Sequence, residues 1–257
     1  MSRAVTSLTN PTVKAVRALH MRKEREQTGL FLAEGLKIVT EAVELGHAPK
    51  ILLYAADAAG HPLLKEAAAV AEEAIEVTPA ILEKVARRDN PQAVLGVFPQ
   101  RFAALADIDP RSAPVFVALE TVRDPGNLGT IVRTADAAGC GAVILVGETC
   151  DPYSVEAVRA TMGSIFAVPL IKTDAAAFLA WRQSWPGSVV GTLLTATADH
   201  RSAGYRKPAL ILMGNEQKGL TPELAAACDL NVKIPMRGRA DSLNLAVATG
   251  IMIYAAS

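Results

Sequence analysis

The chain has 257 residues, 51% of them apolar, which is enough to fill the core of one large or two ordinary globular domains. Lys and Arg number 26 and Asp and Glu 26, so the net charge is zero and the pI is near 6.9. No chain-wide positive field is offered to a nucleic acid, and any such contact must come from a local patch. The three cysteines, Cys140, Cys150 and Cys228, are too scattered for a zinc quartet and odd in number for a closed disulfide set, so a reducing cytoplasm is the expected location.

The opening Met1-Ser2-Arg3-Ala4 lacks an apolar signal core, and the longest apolar run, residues 245–256, falls short of a membrane span, so neither a targeting segment nor a membrane helix is expected. Asn10 followed by Pro11 predicts a helix over 11–26, with Asn10 as N-cap. At 100° per residue Val13, Val16 and Leu19 gather on one side, and Lys14, Arg17 and Arg25 on the other. The basic stripe is either a phosphate-contacting surface or a solvated helix face. After Gly29 the pattern predicts strands at 31–33 and 51–54, helices at 36–45 and 63–74, a helix start at Thr78-Pro79, and a strand at 94–98.

Periodicity fades between 99 and 114, where Asp107, Asp109, Pro110 and Pro114 interrupt any helix or central strand. A linker at 99–112 is therefore expected between a first domain, 1–98, and a second, 113–257. The second half alternates strand-like runs (115–119, 142–146, 188–194, 210–213, 232–234) with helical ones (128–138, 155–161, 175–183, 223–227, 243–254), the pattern of a buried parallel sheet flanked by helices.

Ligands of open α/β sheets sit beyond the carboxyl ends of the strands, so the segments after strands are the informative ones. The first, residues 120–136, is a strand exit, a Pro-Gly turn and a helix start. In it Asn127 stands where an N-cap would, and Arg133 lies six residues on, about 120° around the helix. The plain alternative is a cap plus an Arg133–Asp136 pair. The second runs Gly214-Asn215-Glu216-Gln217-Lys218-Gly219, a turn whose glycines allow backbone N–H groups to approach a ligand closely. Neither a G-x-G-x-x-G fingerprint nor a phosphate loop is present, which argues against nicotinamide and nucleoside-triphosphate chemistry. The third, residues 234–248, is an irregular polar loop leading into an apolar final helix, in which Ser242 reads as a possible N-cap and Asn244 as a first-turn residue.

Together, by order, spacing and residue type, these segments resemble the SpoU/TrmH group of RNA 2′-O-ribose methyltransferases over residues 113–257. Asn127 and Arg133 are similar to the paired Asn and Arg of its first motif, and Gly214, Glu216 and Gly219 to the G-x-E-x-x-G of its second. Ser242-Leu243-Asn244, with the preceding Ile234-Pro235-Met236, resembles its third. Residues 158–166 are similar to a substrate-side segment of the group, with Thr161 where Ser is usual. Residues 7–98, including Glu34-Gly35, resemble more loosely the substrate-binding domain that precedes the catalytic part in ribosomal-RNA members.

The resemblance implies an α/β fold: a C-terminal parallel-sheet SPOUT domain with a trefoil knot, preceded by a smaller α/β RNA-binding domain. It also implies S-adenosylmethionine as cofactor, a homodimer formed through the C-terminal domain, an RNA substrate and no metal. By the same resemblance Met213, Gly214, Asn215, Gly219, Ile234, Pro235, Met236, Ser242 and Leu243 hold the cofactor. Asn127, Arg133, Glu216, Ser242 and Asn244 are the catalytic candidates, with Glu216 orienting Arg133. Lys14, Arg17, Arg22, Arg25 and Arg159 are the RNA-contact candidates. Ribosomal RNA is favoured over transfer RNA by the first domain, and a non-catalytic RNA-binding protein of the same fold is the alternative from another class. An ordinary Rossmann methyltransferase is disfavoured, because Asp124-Pro125-Gly126-Asn127 is unlike its Gly-rich loop.

Overall fold

A computed structural model describes residues 3–257; Met1 and Ser2, part of the chain start read above, lie outside the described residues. In chain order the elements are β1 (Arg3–Val5), α1 (Pro11–Ala18), α2 (Arg22–Thr28), β2 (Leu30–Glu34), α3 (Leu36–Glu44), β3 (Ile51–Ala55), α4 (Pro62–Val70), β4 (Glu73–Val77), α5 (Pro79–Ala86) and β5 (Val94–Pro99). There follow β6 (Val115–Glu120), α6 (Pro125–Ala137), β7 (Val143–Val146), α7 (Val155–Thr161), β8 (Leu170–Thr173), α8 (Ala175–Arg182), β9 (Val189–Thr192), β10 (Ala198–Asp199), β11 (Ala209–Met213), α9 (Pro222–Ala226), β12 (Leu230–Lys233) and α10 (Leu245–Ala256). The chain forms two compact units, one of residues up to Gln100 together with Asp151–Phe166, the other of Arg101–Cys150 and Ala167–Ser257.

The first unit is built on a five-stranded sheet of order β1-β4-β3-β5-β2, parallel except at β5. The expected single helix over 11–26 is two. α1 ends at Ala18 and α2 begins at Arg22, and the carbonyls of Leu19 and His20 freed by the break accept hydrogen bonds from the Arg25 guanidinium at 2.8 and 2.9 Å. Arg25 is only 4% exposed and also pairs with Asp151 at 2.7 Å. It therefore ties down a helix end, and its assignment to an outward RNA-facing stripe is corrected. Val13, Val16 and Leu19 are buried as their spacing requires, while Lys14 and Arg17 are exposed. Arg22 is exposed and pairs with Glu26 one turn on.

The segment from Asp151 packs against β2 through α7, and Phe31 meets Tyr153 and Phe166 with ring centroids 4.6 and 5.7 Å apart. Arg159 on α7 is likewise committed inside this unit. It pairs with the buried carboxylate of Glu34 at 2.7 Å and donates to the Ala86 carbonyl at 3.0 Å, which removes it from the free RNA-contact set.

The second unit carries a seven-stranded sheet, parallel at every pairing, of order β10-β12-β9-β11-β6-β7-β8. Its central strands are continuous apolar runs because both faces are covered: every residue of β6, β7 and β11 is buried. Within the stretch expected as a linker, Ala103 bridges to Ile171 at the β8 edge of this sheet. α10 packs on α6 and over β11, which brings the end of the chain back beside the helix that follows β6.

Candidate active site

The carboxyl ends of β6 and β11, neighbours at the centre of the sheet, deliver the first two motif segments side by side. After β6 the backbone turns sharply at Thr121, whose φ of 48° is left-handed, and α6 then starts with Pro125 at its first position. Its N-cap is Asp124, which accepts from the Asn127 N–H at 2.6 Å, so Asn127 is not the cap expected from its place after Pro-Gly. The Asp-Pro pair at 124–125 was the signal for this start. Freed from capping, the Asn127 side chain faces the other two segments.

After β11 the chain makes a closed loop in which Asn215 and Gly219 exchange backbone hydrogen bonds at 3.0 and 2.9 Å. Gly219 takes φ +69°, and a Cβ on Gly214 would lie 2.0 Å from the Gly219 carbonyl carbon, so the loop closes only with glycine at 214. Glu216 points from this loop across to the first segment. Its carboxylate accepts from the N–H groups of Arg123 and Asp124 at 3.2 Å each, and from Asn127 Nδ2 at 3.4 Å. Glu216 thus braces the β6–α6 turn, and the expectation that it orients Arg133 is corrected.

The third segment joins the same chain of bonds. Asn244, not Ser242, caps α10: its Oδ1 accepts from Ala246 and Val247 N–H at 2.9 and 3.3 Å. That fixed oxygen aims the amide nitrogen outward, where it donates to Asn127 Oδ1 at 2.8 Å. Asn244, Asn127 and Glu216 therefore link all three segments. Arg133 stands apart from them: it is exposed on α6, with no hydrogen bond or ion pair to its side chain among the described residues, including the Asp136 pairing weighed above.

Beside this chain opens a cleft of about 290 Å³. Met213 to Gly219, Ile234, Met236, Ser242 and Leu243 line it, and so does the loop Thr192 to Thr195 after β9, which the sequence did not single out. Pro235, expected there, is not part of the lining. Ser242 is exposed on the rim and donates to Asp241 at 3.2 Å. The walls are mainly apolar with a few convergent polar groups, the character of a small-molecule site. The Thr192 hydroxyl, itself buried, has no hydrogen-bond partner among the described residues.

A parallel α/β domain with an apolar-walled cleft beyond its central strands, preceded in the chain by a small α/β domain, defines a protein that binds a small organic ligand at the carboxyl ends of its sheet. Two sequence profiles match the chain: the SpoU rRNA Methylase family over residues 114–254 and the MRM3-like substrate binding domain over residues 10–96. The chain belongs to the SpoU rRNA methylase family. It is 31% identical over 250 residues to the 23S rRNA (guanosine(2553)-2′-O)-methyltransferase RlmP of Bacillus subtilis, covering 97% of each chain. Among solved structures, the AdoMet-bound rRNA methyltransferase from Sinorhizobium meliloti is 49% identical with a TM-score of 0.93, covering 99% of this chain and 97% of that one. The SpoU methyltransferase AviRb from Streptomyces viridochromogenes is 30% identical with a TM-score of 0.86, covering 96% of each.

Proposed function

We propose that this chain transfers the methyl group of S-adenosylmethionine to a ribose 2′-hydroxyl of structured RNA, with 23S ribosomal RNA as substrate and a homodimer as the working form. The observation that carries the reading is the joining of three separate loops by Asn244, Asn127 and Glu216 beside one apolar cleft. The cleft suits the cofactor. Met213, Ile234, Met236 and Leu243 offer apolar surface to a nucleoside, and the turn at Gly214–Gly219 offers polar contacts. When bound, the sulfonium supplies an already electrophilic methyl carbon. The protein's task is then to align the ribose oxygen and manage its proton.

Glu216 is not free to serve as a base, because its carboxylate is already engaged by backbone and amide donors. Arg133 is none at all, since a guanidinium stays protonated. Arg133 instead binds an RNA phosphate and stabilises charge developing on the ribose oxygen, whose proton leaves to solvent water as the methyl is transferred. Ser242 on the cleft rim and Asn127 with Asn244 beside it set the position of the ribose.

The partner protomer supplies Arg133. Support for this comes from the absence of any hydrogen bond or ion pair to the Arg133 side chain among the described residues, and from α10, which packs on α6 yet leaves Val247 and Tyr254 53% and 61% exposed. Backbone phosphates of the RNA are held by Lys14 and Arg17 on α1, by exposed Arg123 in the β6–α6 turn and by exposed Arg237 and Arg239 in the loop before α10.

The test is transfer of isotopically labelled methyl to 23S rRNA, followed by mapping of the ribose. Expected is one methylated ribose, lost in Arg133→Ala while cofactor binding persists. Transfer to transfer RNA alone would replace the substrate assignment, and undiminished turnover by Arg133→Ala would remove that residue from the mechanism. Mixing Arg133→Ala with Glu216→Ala protomers should restore up to about a quarter of wild-type activity if Arg133 crosses between subunits, and none if it serves its own chain.

A further inference from the structure

The Asn215 side chain, next to Glu216 in the glycine loop, is fully occupied by hydrogen bonds to the protein itself. Its Oδ1 accepts from the N–H groups of Gln217 and Lys218 at 3.0 and 3.2 Å, shaping its own turn. Its Nδ2 donates to the Thr121 carbonyl at 3.0 Å and to Glu216 Oε2 at 3.4 Å. An amide side chain has two donor hydrogens and two acceptor lone pairs, so all four positions are taken and none is left for a cofactor.

Thr121, at the other end of the first bond, is in the left-handed region, where β-branched residues are rare. Both of its peptide groups are tied: the N–H donates to the Val146 carbonyl at 3.0 Å, and the carbonyl is held by Asn215. This unusual turn is what brings the consecutive N–H groups of Arg123 and Asp124 round to face Glu216. Strain of this sort persists only where surrounding contacts hold it, and it gathers at functional sites.

We propose that Asn215 is a positioning residue for methyl transfer: its amide nitrogen holds Thr121 in the left-handed turn, the turn presents Arg123 and Asp124 to Glu216, and Glu216 fixes Asn127 beside the cleft. The inference rests on the catalytic reading given above and replaces a cofactor contact at Asn215 with a brace between loops.

Asn215→Asp tests it cleanly, because the substitution keeps the shape and the acceptor oxygen but turns the donor facing Thr121 and Glu216 into a second acceptor. Expected are a fall in kcat of about 100-fold and a change in KM for S-adenosylmethionine of less than about threefold. The amide hydrogens of Arg123 and Asp124 should also lose protection from exchange, a readout independent of turnover. Adding Thr121→Asn, which holds a left-handed backbone more readily than Thr, should recover about tenfold of the lost kcat. Unchanged kcat with weakened cofactor binding would assign Asn215 to the cofactor after all, and unchanged amide protection would dismiss the brace. Should the wild-type chain methylate no RNA, the functional reading fails, and the exchange measurement still decides whether Asn215 holds the turn.

Discussion

The two units treat their polar residues in opposite ways. In the first, Arg25, which helical spacing placed on an accessible surface, and Arg159, an RNA-contact candidate from the substrate-side segment, are committed to Asp151 and Glu34 and hold the unit together. In the second, Asn127, Glu216 and Asn244 come from segments about 90 and 120 residues apart and bond to one another beside an open cleft. Position on a helix face says where a long side chain begins, not which carboxylate or free carbonyl it reaches. Position at the carboxyl end of a central parallel strand is more binding, because the sheet itself brings those ends together.

The sharpest way to break the comparison is to remove Arg25. Its loss strands Asp151 and uncaps two carbonyls, so Arg25→Met should cost about 3–5 kcal/mol in denaturant unfolding. Arg133→Ala, at an exposed and uncommitted position, should cost less than about 0.5 kcal/mol. Equal losses would erase the distinction between a structural and a functional arginine. Next in size, Gly214→Ala pushes a Cβ into the backbone of its own loop and should weaken S-adenosylmethionine binding by about 100-fold in calorimetric titration, a loss of about 2.7 kcal/mol. Gly60→Ala in the first unit meets nothing within 4 Å and should leave binding unchanged.

The exposed cations that remain on α1 give a smaller effect. Lys14→Gln with Arg17→Gln should lower the slope of RNA affinity against salt by about 1 to 2, and an unaltered slope would leave them as a solvated helix face. Smallest is a pH effect at His20, whose ring bonds the Val85 carbonyl at 2.7 Å. Burial, aided by the Arg87, Arg159 and Arg25 cations and opposed by that bond, holds its pKa below the ordinary 6.5. The unfolded chain therefore takes up the proton first as pH falls through 6.5, and stability is lost below that value. The melting temperature should drop between pH 7.5 and 5.5 and drop less in His20→Gln. An identical profile for both proteins would place the titration elsewhere.

Much of the architecture was legible because apolar runs of four to six residues flanked by turns mark buried parallel strands, as at β6, β7 and β11. β4 was missed because the helix expected over 63–74 overran its first two residues and Glu73, Ala74 and Glu76 carry no strand signature, so that pairing with β1 and β3 decides their state. β8 did not register because only Leu170 and Ile171 of its four residues are apolar, and the two-residue β10 is too short to register. The break between α1 and α2 was invisible because the partner that anchors Arg25 over the freed carbonyls, Asp151, lies 126 residues away. At the site the residue types were readable but their bonds were not. Which of Ser242 and Asn244 caps α10, and what Glu216 holds, depends on loops that meet only in the folded sheet. Thr192 to Thr195 reach the cleft by the same route, without a motif of their own.

The contrast between the units reduces to where a methyl donor settles, and the methionines report on it directly. Met213 and Met236 line the cleft, whereas Met21 and Met162 are exposed in the first unit at 58% and 52%. Titration of S-adenosylmethionine into protein carrying 13C-methyl methionine should move the Met213 and Met236 resonances and leave those of Met21 and Met162 in place. Movement of the latter pair with the former unchanged would contradict the account.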